Sequence, residues 1–116
     1  DMDALPILEK NNFAYKSKNS GCMHACGHDG HTAMLLGAAE FLSKSKAFDG
    51  TVYFIFQPAE EGEAGARAMI DDGLFTKFNI DSIFAIHNWP HLKSGIIKTR
   101  KGPIMAGFDT FELTVS

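Results

Sequence analysis

The chain has 116 residues, of which 45% are hydrophobic and 22% charged, and a formal net charge of −3. This is the size and composition of one small globular domain and argues against wholesale disorder. Acids and bases are interleaved with no basic stripe, which excludes nucleic acid as a partner, and the apolar runs fall far below the ~20 residues of a membrane span.

Asp1–Pro6 reads as the end of a strand running into a loop. Glu9–Asn19, with Asn11-Asn12 and three lysines, reads as an exposed loop or hairpin. Thr32–Ser43 is apolar almost all round and predicts a helix buried on most of its surface, starting near Gly30 and ending before Phe48-Asp49-Gly50. Thr51–Phe56 (TVYFIF) is a continuous β-branched and aromatic run, as in a parallel strand buried on both faces. Glu63–Asp72 predicts a short helix closed by Gly73, and Asp81–His87 a second buried strand. Gly95–Thr99 reads as a short strand. Phe108–Val115 alternates apolar and polar residues, so it belongs to a separate sheet with one wet face.

The order strand, helix, strand, helix, strand predicts an α/β layer fold. A change of strand character near Gly102-Pro103 divides the chain into 1–102 and a second unit over 103–116. Glu60 and Glu61 follow the first buried strand and His87 ends the second, so both fall at the carboxyl edge where sites of open α/β sheets gather.

Met23-His24-Ala25-Cys26-Gly27-His28-Asp29-Gly30-His31 packs a thiol, three imidazoles and a carboxylate into nine residues. Cys26 and His28 are one residue apart, and in an extended segment such side chains point the same way and reach one ion. Either residue alone reads as a small core hydrophobe or a hydrogen-bonded side chain. A Cys22–Cys26 disulfide is the plainer reading of a cysteine pair, but two cysteines make no disulfide scaffold, and a ligating thiolate requires a reducing, cytoplasmic setting. Glu60-Glu61 reads either as a solvated acidic turn or as two carboxylates with different jobs. Adjacent residues point apart, so one would bind metal and the other would take a proton from an activated water. His87 is equally a structural strand-end histidine or a ligand, and His91 falls in an exposed turn. Asp1 and Asp3 are loop acids or orient a ligand histidine from behind. No phosphate-binding Gly-rich loop and no G-x-S-x-G elbow is present.

Asp-Met-Asp-Ala-Leu-Pro at 1–6, the Cys/His motif at 23–31, Gln-Pro-Ala-Glu-Glu-Gly at 57–62 and His-Asn-Trp-Pro at 87–90 occur in that order. In these motifs the chain resembles the amidohydrolase branch of the aminoacylase and carboxypeptidase metallopeptidases, which includes hippurate hydrolases, auxin-conjugate hydrolases and N-acetyldiaminopimelate deacetylases. The resemblance implies a three-layer α/β catalytic domain of the zinc-dependent exopeptidase type, partial here over 1–102. Residues 103–116 would be the linker and first strand of an inserted α/β lid through which such proteins form homo-oligomers. It implies two divalent ions (zinc, manganese, cobalt or nickel) on Cys26, His28, Glu61 and His87, with Glu60 as general base and Asp3 as the acid that orients the site. The implied reaction is hydrolysis of a small-molecule N-acyl amino acid. Family members are several times longer, and their fifth ligand and a lid histidine come from regions with no counterpart here. A catalytically incomplete piece that binds only metal or a partner is the alternative.

Overall fold

In the computed structural model, residues 1–115 are described; Ser116, the last residue of the expected lid segment, lies outside them. The Cys/His motif runs directly into α1 (His28–Ser45). Ala and Leu dominate this segment and favour helix, and Gly27 starts it in the left-handed region at φ 92°. Asp29 lies in the first turn, where a negative charge suits the helix N-terminus, and the Thr32 hydroxyl donates back to the His28 carbonyl at 3.0 Å. Lys46, also left-handed, closes the helix by donating its N–H to the Leu42 carbonyl at 3.0 Å. The helix therefore begins two residues before the expected Gly30 and ends two after Ser43.

Past the Glu-Glu turn come α2 (Gly65–Asp71) and α3 (Leu74–Lys77), joined through Gly73 at φ 94° and packed on one another. The Arg67–Asp71 pair on α2 is well exposed on both sides and adds little to stability. Val52–Phe56, Met69, Leu74 and Phe78 line a shallow apolar groove of about 370 Å³, with the Tyr53 and Phe78 rings 5.1 Å apart. One face of the TVYFIF segment thus meets α2 and α3.

The expected strands are extended but form no ladder: the only β pairing among the described residues is an isolated antiparallel bridge between Leu5 and Met23. The layered α/β sheet is therefore not seen within these residues. A parallel strand needs a neighbour about 4.8 Å away, supplied by a distant part of the chain, and neither 51–56 nor 82–87 has one here. The expected core is absent for the same reason. No apolar residue is buried among those described, and Leu36 and Phe41 of α1 are 57% and 68% exposed, where the sequence predicts a helix buried nearly all round. The radius of gyration is 17.5 Å, against about 13 Å for a compact domain of this length.

What the chain does hold in place is the neighbourhood of its motifs. The Leu5–Met23 bridge, with N–H to carbonyl distances of 2.9 and 3.0 Å, pins Asp1–Asp3 beside the start of α1. Among the described residues, the only buried side chains with ionisable groups are His28 and His31, on one face of the first turns of α1.

Candidate metal centre

His28 is the centre of the cluster, 1% exposed. Its Nδ1 lies 3.2 Å from Asp3 Oδ1. A carboxylate only accepts, so Nδ1 carries the proton and Nε2 presents a lone pair. That Nε2 is buried with no hydrogen-bond partner. Around it stand Glu61 Oε1 at 3.7 Å, Asp1 Oδ2 at 3.8 Å and Glu60 Oε2 at 3.9 Å. Burial raises the Asp3 carboxyl, but the backbone N–H groups of Glu61 and Glu60, its own backbone and His28 outweigh burial and hold it at about 2. Asp3 accepts the Glu61 N–H at 2.9 Å, so one carboxylate fixes both the His28 ring and the backbone that carries Glu61. Asp3's contribution holds fully above the usual 3.8 and is lost only as pH falls towards about 2.

The Glu-Glu turn owes its shape to two backbone positions. Ala59 is left-handed at φ 51°, which turns the chain between Pro58 and Glu60 at a cost of about 1 kcal/mol. Gly65 donates its N–H to the Ala59 carbonyl at 3.0 Å, and a Cβ there would sit 1.7 Å from the Pro58 oxygen, so only glycine closes the turn. The turn leaves the Glu60 side chain 48% exposed and Glu61 27% exposed.

Cys26 Sγ and His87 Nε2 are 3.7 Å apart, and both group with His28 as ligand-type side chains. His87 Nδ1 lies 2.6 Å from the Asn88 carbonyl, so it donates there, and Nε2 is again the free nitrogen. Burial pushes the Cys26 thiol up, and Glu61, by hydrogen bond and by charge, pushes it further, with smaller contributions from Glu60 and Asp3. Both cysteines are free, so the disulfide alternative is not realised.

Three ligand-type groups result, each with donor atoms within 4.8 Å of one another: Cys26–His28–His87, His28–Glu60–Glu61 and Asp1–His28–His31. His28 belongs to all of them. The six residues singled out in the sequence (Asp3, Cys26, His28, Glu60, Glu61 and His87) come together from four stretches of chain, whereas His24 and His91 stay exposed and outside. His31 and Asn88 join the cluster without having been given a role by sequence reasoning, and Asp1, read as a loop acid or as an acid that orients a ligand histidine, lies against His31 and near His28. The signal was there for His31, since His28 and His31 at i and i+3 share a helix face.

The donor set suits a divalent cation. Two donors on one ion at about 2.1 Å sit up to about 4 Å apart, and the separations around His28 Nε2 are 3.7 to 3.9 Å. Among the described residues, the Lys and Arg ion pairs all lie elsewhere, on Glu40, Asp71 and Asp72. Four carboxylates thus face two buried imidazoles with no fixed cation to balance them, and mixed thiolate, imidazole and carboxylate donors suit zinc, cobalt, nickel or manganese.

The model of peptidase family M20/M25/M40 matches residues 1–115. The chain belongs to this family. It is 51% identical to a hippurate hydrolase of Campylobacter jejuni over 115 residues, which cover 99% of this chain and 30% of the relative. An N-acetylcysteine deacetylase of Bacillus subtilis is 48% identical, with 99% of this chain and 30% of the relative covered. An IAA-amino acid hydrolase of Arabidopsis thaliana is also 48% identical, with 100% and 26% covered. The crystal structure of a Bacillus subtilis protein described as a dinuclear metal binding peptidase from the M20 family superposes with a TM-score of 0.72 at 50% identity, over 78% of this chain and 25% of that one. This M20 chain therefore spans about 30% of the curated relatives it matches, and no helix in its described part is long and apolar enough to cross a membrane.

A thiol held high must surrender its proton before it binds a cation. Metal affinity of the M20 chain is therefore expected to weaken by about tenfold for each pH unit lost below the Cys26 pKa, on account of this one proton. Metal titrations at several pH values, repeated with Cys26→Ser, check this: the variant should bind more weakly and show a shallower slope.

Proposed function

We propose that this chain carries the metal-binding part of an amidohydrolase that splits the amide bond of N-acyl amino acids. The observation that carries the reading is the buried, unpartnered His28 Nε2 ringed by carboxylates. Cys26, His28, Glu61 and His87 would hold two divalent ions, and the names of three relatives, a hippurate hydrolase, an N-acetylcysteine deacetylase and an IAA-amino acid hydrolase, support the substrate class. The ions would supply Lewis acidity and a water of lowered pKa.

The chain's own groups do the rest. Asp3 holds the His28 ring and the Glu61 backbone. Glu60, the more exposed of the paired carboxylates, keeps a free Oε2 close to the site. It takes a proton from the attacking water and passes it to the nitrogen as the C–N bond breaks, leaving a carboxylate and a free amino acid.

Residues 1–102 would form part of an α/β catalytic domain in which 51–56 and 82–87 gain strand neighbours, and 103–116 the linker and first strand of a lid that also carries the homo-oligomer contact. The free cysteines suit a reducing, cytoplasmic setting. A second reading applies to these 116 residues alone. With no apolar residue buried among those described, they bind metal without turnover, and catalysis belongs to the longer protein.

The test is release of free amino acid from N-acetyl and N-benzoyl amino acids by the longer protein. A chelator should abolish it, and added zinc, manganese, cobalt or nickel should restore it. Hydrolysis that survives metal removal would overturn the proposal.

A further inference from the structure

Among the described residues His31 is the one other buried ionisable side chain, 6% exposed, and the reaction as proposed gives it no task. It is nonetheless the most connected ring in the cluster. Its Nδ1 donates to Asp1 Oδ1 at 2.5 Å. Its Nε2 meets two groups of Asn88 at 3.0 Å, the backbone N–H and the side-chain Oδ1. A neutral ring accepts from the N–H, and a doubly protonated ring donates to Oδ1, so either form is tied to Asn88. Asn88 is the residue whose carbonyl accepts the hydrogen bond from His87 Nδ1–H and thereby aims His87 Nε2 at Cys26. The His31 ring also packs edge-on against His87, with centroids 4.4 Å apart, and stacks on His28 at 5.3 Å.

The approach of Asn88 depends on Gly27, the residue between Cys26 and His28. A Cβ on Gly27 would lie 2.2 Å from Asn88 Nδ2, which reaches across to the Gly27 carbonyl at 3.4 Å. The 87–88 segment is thus moored to α1 by His31 Nε2 and to the Cys/His motif by the Asn88 amide. Without a β-ladder to hold 82–87, these hydrogen bonds are what fix His87 against Cys26.

We propose that His31 is a positioning residue: through Asn88 it sets His87 Nε2 opposite Cys26 Sγ, so that the thiolate and the imidazole close on one ion. This rests on the metal reading given above. It assigns His31 no contact with the ion or the substrate. The role requires a hydrogen-bonding atom at the Nε2 position, and ring volume alone does not fill it.

The experiment uses cobalt(II) as the probe metal, titrated into the wild-type protein and into His31→Gln and His31→Leu. Thiolate-to-cobalt charge-transfer absorption reports Cys26 ligation. Gln keeps an amide near the Nε2 position for Asn88, whereas Leu keeps comparable bulk and no polar atom. Loss of an outer partner of a ligand histidine costs about 10–100-fold in metal affinity. His31→Leu is expected to lose that much and to show a weakened charge-transfer band, and His31→Gln to recover most of both. Equal behaviour of Gln and Leu, whether both match the wild type or both fail, would overturn the positioning role. Wild-type protein that takes up no cobalt would overturn the metal reading itself, a result distinct from wild-type binding with indifferent variants.

Discussion

Glu60→Gln is expected to lower N-acyl amino acid hydrolysis by at least about 100-fold in the longer protein, while its metal content stays unchanged. The reason is geometric. Glu60 and Glu61 are adjacent, yet the left-handed Ala59 and the Gly65 closure set them differently. Glu61 is the less exposed carboxylate, and its backbone N–H is held by Asp3. Glu60 has the freer side chain, 48% exposed and 3.9 Å from His28 Nε2. Gln matches Glu in shape but cannot take up a proton at Oε2. Turnover measured beside elemental metal content separates the two carboxylates: Glu61→Gln should lose metal, and Glu60→Gln should lose only rate. A Glu60→Gln protein with near-normal turnover would remove Glu60 from the reaction.

His28→Ala is expected to have the largest effect on metal, weakening the ion that its Nε2 would hold by more than the 10–100-fold typical of an outer-partner loss. His28 is common to all three groups of ligand-type side chains found among the described residues, and its Nε2 lies 3.7 Å from Glu61 Oε1. The Leu5–Met23 bridge and the Asp3–Glu61 hydrogen bond do not involve His28, so the surrounding segments keep their ties. Equilibrium dialysis against zinc measures the loss, with His91→Ala as the control, since His91 is exposed in a turn outside the cluster. Retention of two tightly bound ions by His28→Ala would show that Nε2 is not where metal binds.

That these side chains gather in one place was legible from the residues because the spacing rules that carry it are short. Cys26-x-His28 and Glu60-Glu61 mark donors that need only a turn or an extended pair to present them. Helix α1 was legible from its Ala- and Leu-rich run, and α2 from its small apolar residues before Gly73. The strands were legible in composition but not in outcome. TVYFIF and SIFAI have the pattern of doubly buried strands, and such strands acquire structure only from neighbours that lie far away in sequence. Within these residues they remain unpaired, and Phe84 is 91% exposed. The contacts of His31 and Asn88, and which of its two readings Asp1 takes, were not legible because they depend on which way each imidazole turns. That choice is made by hydrogen bonds between positions 30 and 57 residues apart.

The central claim is that Cys26, His28, Glu61 and His87 together bind two divalent ions. Its most direct test is the zinc content of the purified 116-residue chain after dialysis, measured alongside Glu61→Gln. Two equivalents in the wild type, falling in Glu61→Gln, is the expected result. No bound zinc, or a single ion that Glu61→Gln leaves untouched, would contradict it.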